Sequence, residues 1–220
     1  MHNIGIIIAM EKELDLFVSE VKNKHEQLLH ERRFITGEYH GHIVSIVVCG
    51  IGKVNAALCT SDLINVFHSD VVINIGISGG LDKNLNIGDF VVGKNISYHD
   101  FWCDDTICTD VPSVFHSDEK LCALFNDLKH GLLCCGDRFI VSKKEMLQIK
   151  QRYPEALAVD MESAAIAHTC FLYKIPLLSI RQISDTPGVE HHAEQYDNFW
   201  KNVPQNSIRL LKEVIEKIDY

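Results

Sequence analysis

The strongest constraint on the fold lies at residues 3–9, Asn-Ile-Gly-Ile-Ile-Ile-Ala, a run apolar at nearly every position and far too short to span a membrane. A half-buried strand alternates apolar with polar residues. An unbroken, isoleucine-rich run therefore predicts a strand covered on both faces, as in a parallel or mixed sheet flanked by helices. Val71 to Ile75, Asp89 to Val92, Leu132 to Cys135, Leu157 to Val159 and Leu177 to Ile180 are further short strands of this kind. Helical spacing falls between them. Leu14, Phe17, Val18 and Val21 predict an amphipathic helix opening near Glu11 to Glu13, where carboxylates favour the helix dipole. Val54, Ala57, Leu58 and Ser61 mark a second helix, residues 143–151 and 163–173 two more, and the stripe Ile208, Leu211, Ile215 and Ile218 a closing one. Phe34 to Tyr39 and Ile43 to Val48 flank a hairpin turn at His40-Gly41-His42. Strands alternating with helices, plus one hairpin, predict an α/β fold of three layers, α/β/α, around a central mixed sheet, with residues 1–220 forming a single domain.

Composition narrows the function classes. With 46% hydrophobic residues, 220 residues can bury one sizeable core. A formal charge of −9 excludes a binder of phosphate backbones, which needs clustered Lys and Arg, so no nucleic-acid partner is expected. An uncharged nucleoside needs no basic groove. Eight cysteines occur, but Cys49, Cys59 and Cys170 lie in apolar surroundings and no CxxC or Cys/His zinc spacing is present, which predicts reduced core thiols. The start lacks the basic region of a signal peptide and no membrane association is expected, so a cytoplasmic protein is expected.

Four motifs invite chemistry. Gly50-Ile51-Gly52-Lys53 follows a strand and opens a helix, as a phosphate loop does, but Asn55 stands where a third glycine would fall and no Gly-Lys-Ser/Thr ending follows. A tight turn that brings backbone close to a small ligand fits better. Gly76-Ile77-Ser78-Gly79-Gly80 satisfies the nucleophile-elbow pattern, yet Asn84, Asn86 and Gly88 break up the helix an elbow requires. A glycine-rich turn at the end of a strand, forming a pocket floor, explains the same residues. His40, His42, His191 and His192 have no carboxylate at ligand spacing, so neither a metal nor another cofactor is expected. Trp102 and Trp200 fit core and interface positions equally, and the irregular stretch 97–117 is expected to be a loop serving as an interface or lid.

The carboxylates are more informative. In Val159-Asp160-Met161-Glu162-Ser163-Ala164-Ala165, two acids interrupt an apolar strand-to-helix junction, and buried charge is costly. Asp160 can cap the helix beside Ser163, whereas Glu162 has no such bland account. Arg181-Gln182-Ile183-Ser184-Asp185 lies at the end of a buried strand, where ligands of open α/β sheets collect. Glu13, Glu162 and Asp185 thus all follow strands.

Residues 6–13, 50–54, 76–81, 98–100, 136–140, 159–165 and 181–185 resemble, in order and spacing, the methylthioadenosine/S-adenosylhomocysteine nucleosidases of the nucleoside phosphorylase superfamily. The resemblance covers nearly the whole chain and implies a nucleoside phosphorylase-like fold. It further implies N-glycosidic hydrolysis of adenine nucleosides, with a place in methionine salvage and in removal of methyl-transfer by-products. Glu13 would then activate the attacking water, and Glu162 would grip the ribose hydroxyls beside Met161. Asp185, steered by Ser184, would protonate an adenine ring nitrogen. Such a cleavage needs a protonated leaving group, a stabilised oxocarbenium-like sugar and a directed nucleophile. Phe139 would stack on the base and the Ile140 backbone read its edge, while Ile51, Met161 and Tyr196 would line the sugar and 5′-substituent pocket. Ser78 and Gly79 would lie against the base, although the family usually has alanine at Ser78 and a small or hydroxyl residue at Ile77. The resemblance also implies a homodimer in which a loop near 97–117 helps close the neighbouring site.

Two rivals remain. A phosphorylase of the same superfamily would need cations around phosphate, but Asn74 rather than arginine precedes the glycine segment, and Glu13 would repel phosphate. A non-catalytic nucleoside sensor would not need three carboxylates.

Overall fold

In a computed structural model of the chain, residues 1–9, 15–101, 110–186, 192–202 and 204–218 are described. In chain order the elements are β1 (Asn3–Ile8), α1 (Asp15–Glu20), β2 (Lys22–Leu29), β3 (Arg32–Tyr39), β4 (His42–Val48), α2 (Lys53–Asn65), β5 (Val71–Gly80), β6 (Phe90–Tyr98), β7 (Phe115–His116), α3 (Glu119–Ala123), β8 (Lys129–Cys135), α4 (Lys143–Arg152), β9 (Ala156–Asp160), α5 (Ser163–Tyr173), β10 (Leu177–Asp185), α6 (His192–Asn202) and α7 (Pro204–Lys217).

The isoleucine run is the central strand its composition predicts. β1 pairs in parallel with β4 on one edge and β5 on the other. Its side chains alternate between two cores: Ile4, Ile6 and Ile8 pack with Phe17 of α1 and the α7 stripe of Ile208, Leu211 and Ile215, while Ile7 faces Ala56, Cys59 and Leu63 of α2. Helices α1, α3 and α7 thus cover one face, and α2 and α5 the other, which makes three layers. Sandwiched against the sheet, α5 buries Ala164, Ala165, Ile166 and Ala167 in succession, so it is apolar all round rather than on one stripe.

The sheet divides at β5. The first half of this strand pairs with β1, ending at Asn74 opposite Ile7, whereas its last two residues, Gly79 and Gly80, pair with Val159 and Ala158 of β9. Along its other edge β5 pairs with β10 from Val72 to Gly79. Strands β5, β10, β6, β8 and β9 close on themselves, while β1, β4, β3 and β2 continue as an open sheet. Residues 75–78 therefore have no strand partner on the edge between β1 and β9.

Several expectations change. Gly76 to Gly80 is not a turn but the second half of β5; hydrogen-bond pairing to β10 overrides the weak strand preference of glycine. At Gly80 the missing side chain has a packing reason, since a Cβ would lie 3.0 Å from Ile183 Cγ2. The helix expected from Glu11 onward is described from Asp15, with Glu11, Glu13 and Leu14 outside the described residues. Strand β6 runs on to Tyr98, and Phe115–His116 pairs back onto it as β7, so both ends of the supposed 97–117 loop belong to the sheet. Trp102 and His191 lie outside the described residues, and Trp200 falls within α6. No helix among the described residues is long and apolar enough to cross a membrane.

Candidate active site

A cavity of about 780 Å³, counting its open mouth, occupies the gap where β5 has left β1 and not yet met β9. Such splits of strand order are where α/β sheets bind small ligands. Of the site residues named from sequence, Ile51, Ser78, Gly79, Phe139, Ile140, Met161, Glu162, Ser184, Asp185 and Tyr196 all line it. Glu13 lies outside the described residues; Ala9, just past β1, lines the cavity.

One wall is the β9–α5 junction. Glu162 holds the capping position of α5 and is only 8% exposed, and its Oε1 accepts a hydrogen bond from the Gly52 N–H at 2.8 Å. Gly52 has φ of 97°, a conformation that favours glycine, so the Gly50-Ile51-Gly52 turn serves to aim an amide at this carboxylate. Burial, and then the charge of Asp160, push the Glu162 carboxyl up to about 7, against the opposing pull of the Gly52 amide and Arg181. Asp160 is the helix-capping acid its sequence context indicates: Oδ1 accepts from the Glu162 and Ser163 amides at 3.1 and 3.0 Å and from Ser163 Oγ at 2.9 Å.

Asp160 has a second task that sequence did not reveal. Its Oδ2 accepts from Arg181 Nε at 2.7 Å, and both side chains are 2% exposed. The other guanidinium nitrogens donate to the Asn74 carbonyl and side-chain oxygens and to the Ile180 carbonyl. Arg181 also lines the cavity, and a free arginine there would suit a phosphate, but all three of its nitrogens are already engaged. Arg138, the other arginine on the cavity wall, pairs with Glu145 at 2.7 Å. We expect Arg181→Met to destabilise the protein by about 3–5 kcal/mol, because it leaves Asp160 charged, buried and unpaired. A urea unfolding curve checks this, and an unchanged midpoint would refute it.

The other wall is the end of β10. A register shift between Ile183 and Asp185 lets the consecutive residues Ser184 and Asp185 both reach the cavity, which strict strand alternation would forbid. Asp185 is 2% exposed, and Ser184 Oγ donates to its Oδ1 at 2.6 Å. Phe139 is half-exposed on the cavity wall and meets Tyr196 of α6 edge-on, ring centroids 5.5 Å apart, while Ile140 beside it is buried. Ser78 Oγ is buried with no hydrogen-bond partner among the described residues. Because Ser78 sits inside a strand, no elbow exists and the serine-hydrolase alternative fails.

The wall also includes Ala9, Asn74, Ile75, Gly76, Ile77, Val159, Asp160, Arg138 and Arg181, none of which the sequence marks as a ligand contact. For Ile75 to Ile77 that place follows from the gap in pairing, for which the sequence carries no local signal. Burial raises the thiols of Cys49, Cys59, Cys134, Cys135 and Cys170, which fits core packing rather than reactivity. Among the described residues no cluster could hold a metal ion.

Residues 3–216 match the family model described as the phosphorylase superfamily. A 5′-methylthioadenosine/S-adenosylhomocysteine nucleosidase of Actinobacillus succinogenes is 38% identical, over 98% of this chain and 99% of that protein. The chain belongs to this nucleosidase family. Solved structures of family members agree closely. The Streptococcus pyogenes S-adenosylhomocysteine nucleosidase in complex with 5-methylthiotubericidin gives a TM-score of 0.93 at 28% identity, covering 100% of this chain and 98% of that one. The Neisseria meningitidis nucleosidase in complex with methylthio-immucillin-A gives 0.92 at 32% identity, covering 99% and 100%. As a member of the nucleosidase family the chain is an N-glycosyl hydrolase with a nucleoside phosphorylase-like fold.

Proposed function

We propose that the cavity binds 5′-methylthioadenosine and S-adenosylhomocysteine and hydrolyses their N-glycosidic bonds, releasing adenine and the 5′-substituted ribose, with 5′-deoxyadenosine a further substrate. One observation carries the reading: a single cavity is lined by two buried carboxylates, Glu162 and Asp185, and by the aromatic ring of Phe139. In this reading Phe139 stacks on the adenine, the Ile140 backbone reads its edge, and Ser78 and Gly79 form the floor beneath it. Asp185, oriented by Ser184, delivers a proton to a ring nitrogen as the C–N bond breaks and its electron pair passes to the base. Glu162 accepts from the ribose hydroxyls and stabilises the cationic sugar, while Ile51, Met161 and Tyr196 enclose the sugar and its 5′-substituent. Glu13 takes a proton from the water that adds to the anomeric carbon. Neither cofactor nor metal enters the scheme.

Incubating the enzyme with methylthioadenosine, with and without phosphate, tests this reading. Adenine and methylthioribose should form at a rate unaffected by phosphate, since both cavity arginines are engaged by protein carboxylates. Formation of methylthioribose 1-phosphate would establish a phosphorylase instead, and adenosine binding without any adenine release would establish a sensor. We further propose a single-domain homodimer working in the cytoplasm in methionine salvage and by-product removal, with no nucleic-acid or membrane partner. The exposed pair Val54 and Leu58, 71% and 54% accessible at i, i+4 spacing on α2, supports self-association.

A further inference from the structure

Helix α2 has no capping side chain of its own, because Gly52 occupies that position. Its first amides are taken instead by carboxylates from distant segments. The Gly52 N–H donates to Glu162 Oε1 and the Lys53 N–H to Asp137 Oδ1, both at 2.8 Å. Asp137 lies two residues before Phe139, so adjacent amides of one helix end hold the carboxylate on one cavity wall and the loop that carries the aromatic face.

The Lys53 side chain reinforces the link. Its Nζ donates to both carboxylate oxygens of Asp100 at 2.9 Å, stands 3.7 Å from Asp137 Oδ2 and lies over the Tyr98 ring at 5.4 Å. Asp100 in turn accepts from the Asp137 N–H at 2.9 Å. Burial opposes ionisation of Asp100, yet the Lys53 ammonium and the Asp137 amide hold its carboxyl below the usual range. The junction is closely fitted: a Cβ at Gly136 would lie 2.4 Å from His99 Nε2 and 2.8 Å from Asp100 Cγ. Lys53, Asp100 and Asp137 are themselves absent from the cavity wall. Without the ammonium, two neighbouring carboxylates would repel one another and release the loop.

We propose that Lys53, Asp100 and Asp137 are positioning residues that fix the spacing between the ribose-binding carboxylate and the base-stacking loop, and so govern nucleoside affinity more than bond cleavage. The proposal rests on the nucleosidase reading of the cavity. Steady-state kinetics with methylthioadenosine and calorimetric titration with adenine test it in Lys53→Met, Lys53→Arg and the half-exposed Asp137→Ala. In Lys53→Met and Asp137→Ala, KM and the adenine Kd should both rise about 10-fold while kcat holds within about 3-fold; Lys53→Arg, which keeps the cation, should recover most of the loss. A Lys53→Met enzyme that binds adenine as tightly as wild type would overturn the coupling. So would a fall in kcat matching the rise in KM that Lys53→Arg fails to rescue, since a merely structural stitch would give that result. Wild-type protein that binds adenine yet cleaves no methylthioadenosine would sink the nucleosidase reading and leave the coupling standing.

Discussion

Replacing Asp185 with Asn is expected to slow adenine release from methylthioadenosine by about 10³-fold, within the 10²–10⁴ range typical of a lost general acid. The substitution preserves the shape of the side chain and an oxygen that can accept from Ser184 Oγ, the partner 2.6 Å away. Asp185 itself is 2% exposed, so its carboxyl is held at a fixed place on the cavity wall that asparagine occupies without the proton. The fold should therefore survive, with a urea midpoint close to wild type, while the leaving base departs unprotonated. Initial rates of adenine formation decide the matter. Turnover within ten-fold of wild type would mean that another group donates the proton.

Glu162→Gln is expected to move activity and stability in opposite directions. Its amide oxygen can still accept from the Gly52 N–H, but the variant lacks the negative charge that grips the ribose hydroxyls and steadies the sugar cation, so kcat/KM should fall about 10²-fold. The sign for stability follows from the raised carboxyl, near 7 in the folded protein against an ordinary 4.5. A folded state that favours the protonated form is most stabilised at low pH and loses that stabilisation as pH rises through about 7, by about 3 kcal/mol once ionisation is complete. Glutamine removes the penalty. The Tm of the ligand-free variant should match wild type below about pH 4.5, exceed it increasingly as pH rises toward 7, and keep a constant margin above that. In the same range the kcat/KM of wild type should rise as Glu162 ionises, a limb the variant lacks. Scanning calorimetry across pH, run beside the activity profile, checks both, and a Tm difference independent of pH would refute the assignment.

Much of this site was visible in the sequence because its residues break local rules. Glu162 stood out as an acid among alanines, and the isoleucine run announced a strand buried on both faces. What escaped notice depends on contacts between distant segments. Strand β2 has no apolar period because it is an exposed edge, and Gly76 to Gly80 has the composition of a turn because glycine's local preference carries no information about β10. Asp160 could be read as a helix cap from Ser163, but its pairing with Arg181 spans 21 residues, and Asn74 reaches the same guanidinium across 107. Asp185 is marked by its place at the end of a buried strand, but its role, like the place of Tyr196, comes from the family resemblance; both line the cavity, while Glu13 lies outside the described residues.

The interrupted pairing of β5 also bears on solubility. Backbone donors and acceptors left open on a sheet are an invitation to any passing strand, and proteins usually guard such edges. The outermost strand here, β2, is guarded by Lys22, Lys24, His25 and Glu26. Residues 75–78 need no such defence, because β1 and β9 stand on either side and leave a slot four residues long, too confined for a foreign strand to enter. Placing its open backbone inside the fold rather than at its rim lets the molecule offer polar main-chain groups to a small guest without becoming a template for aggregation.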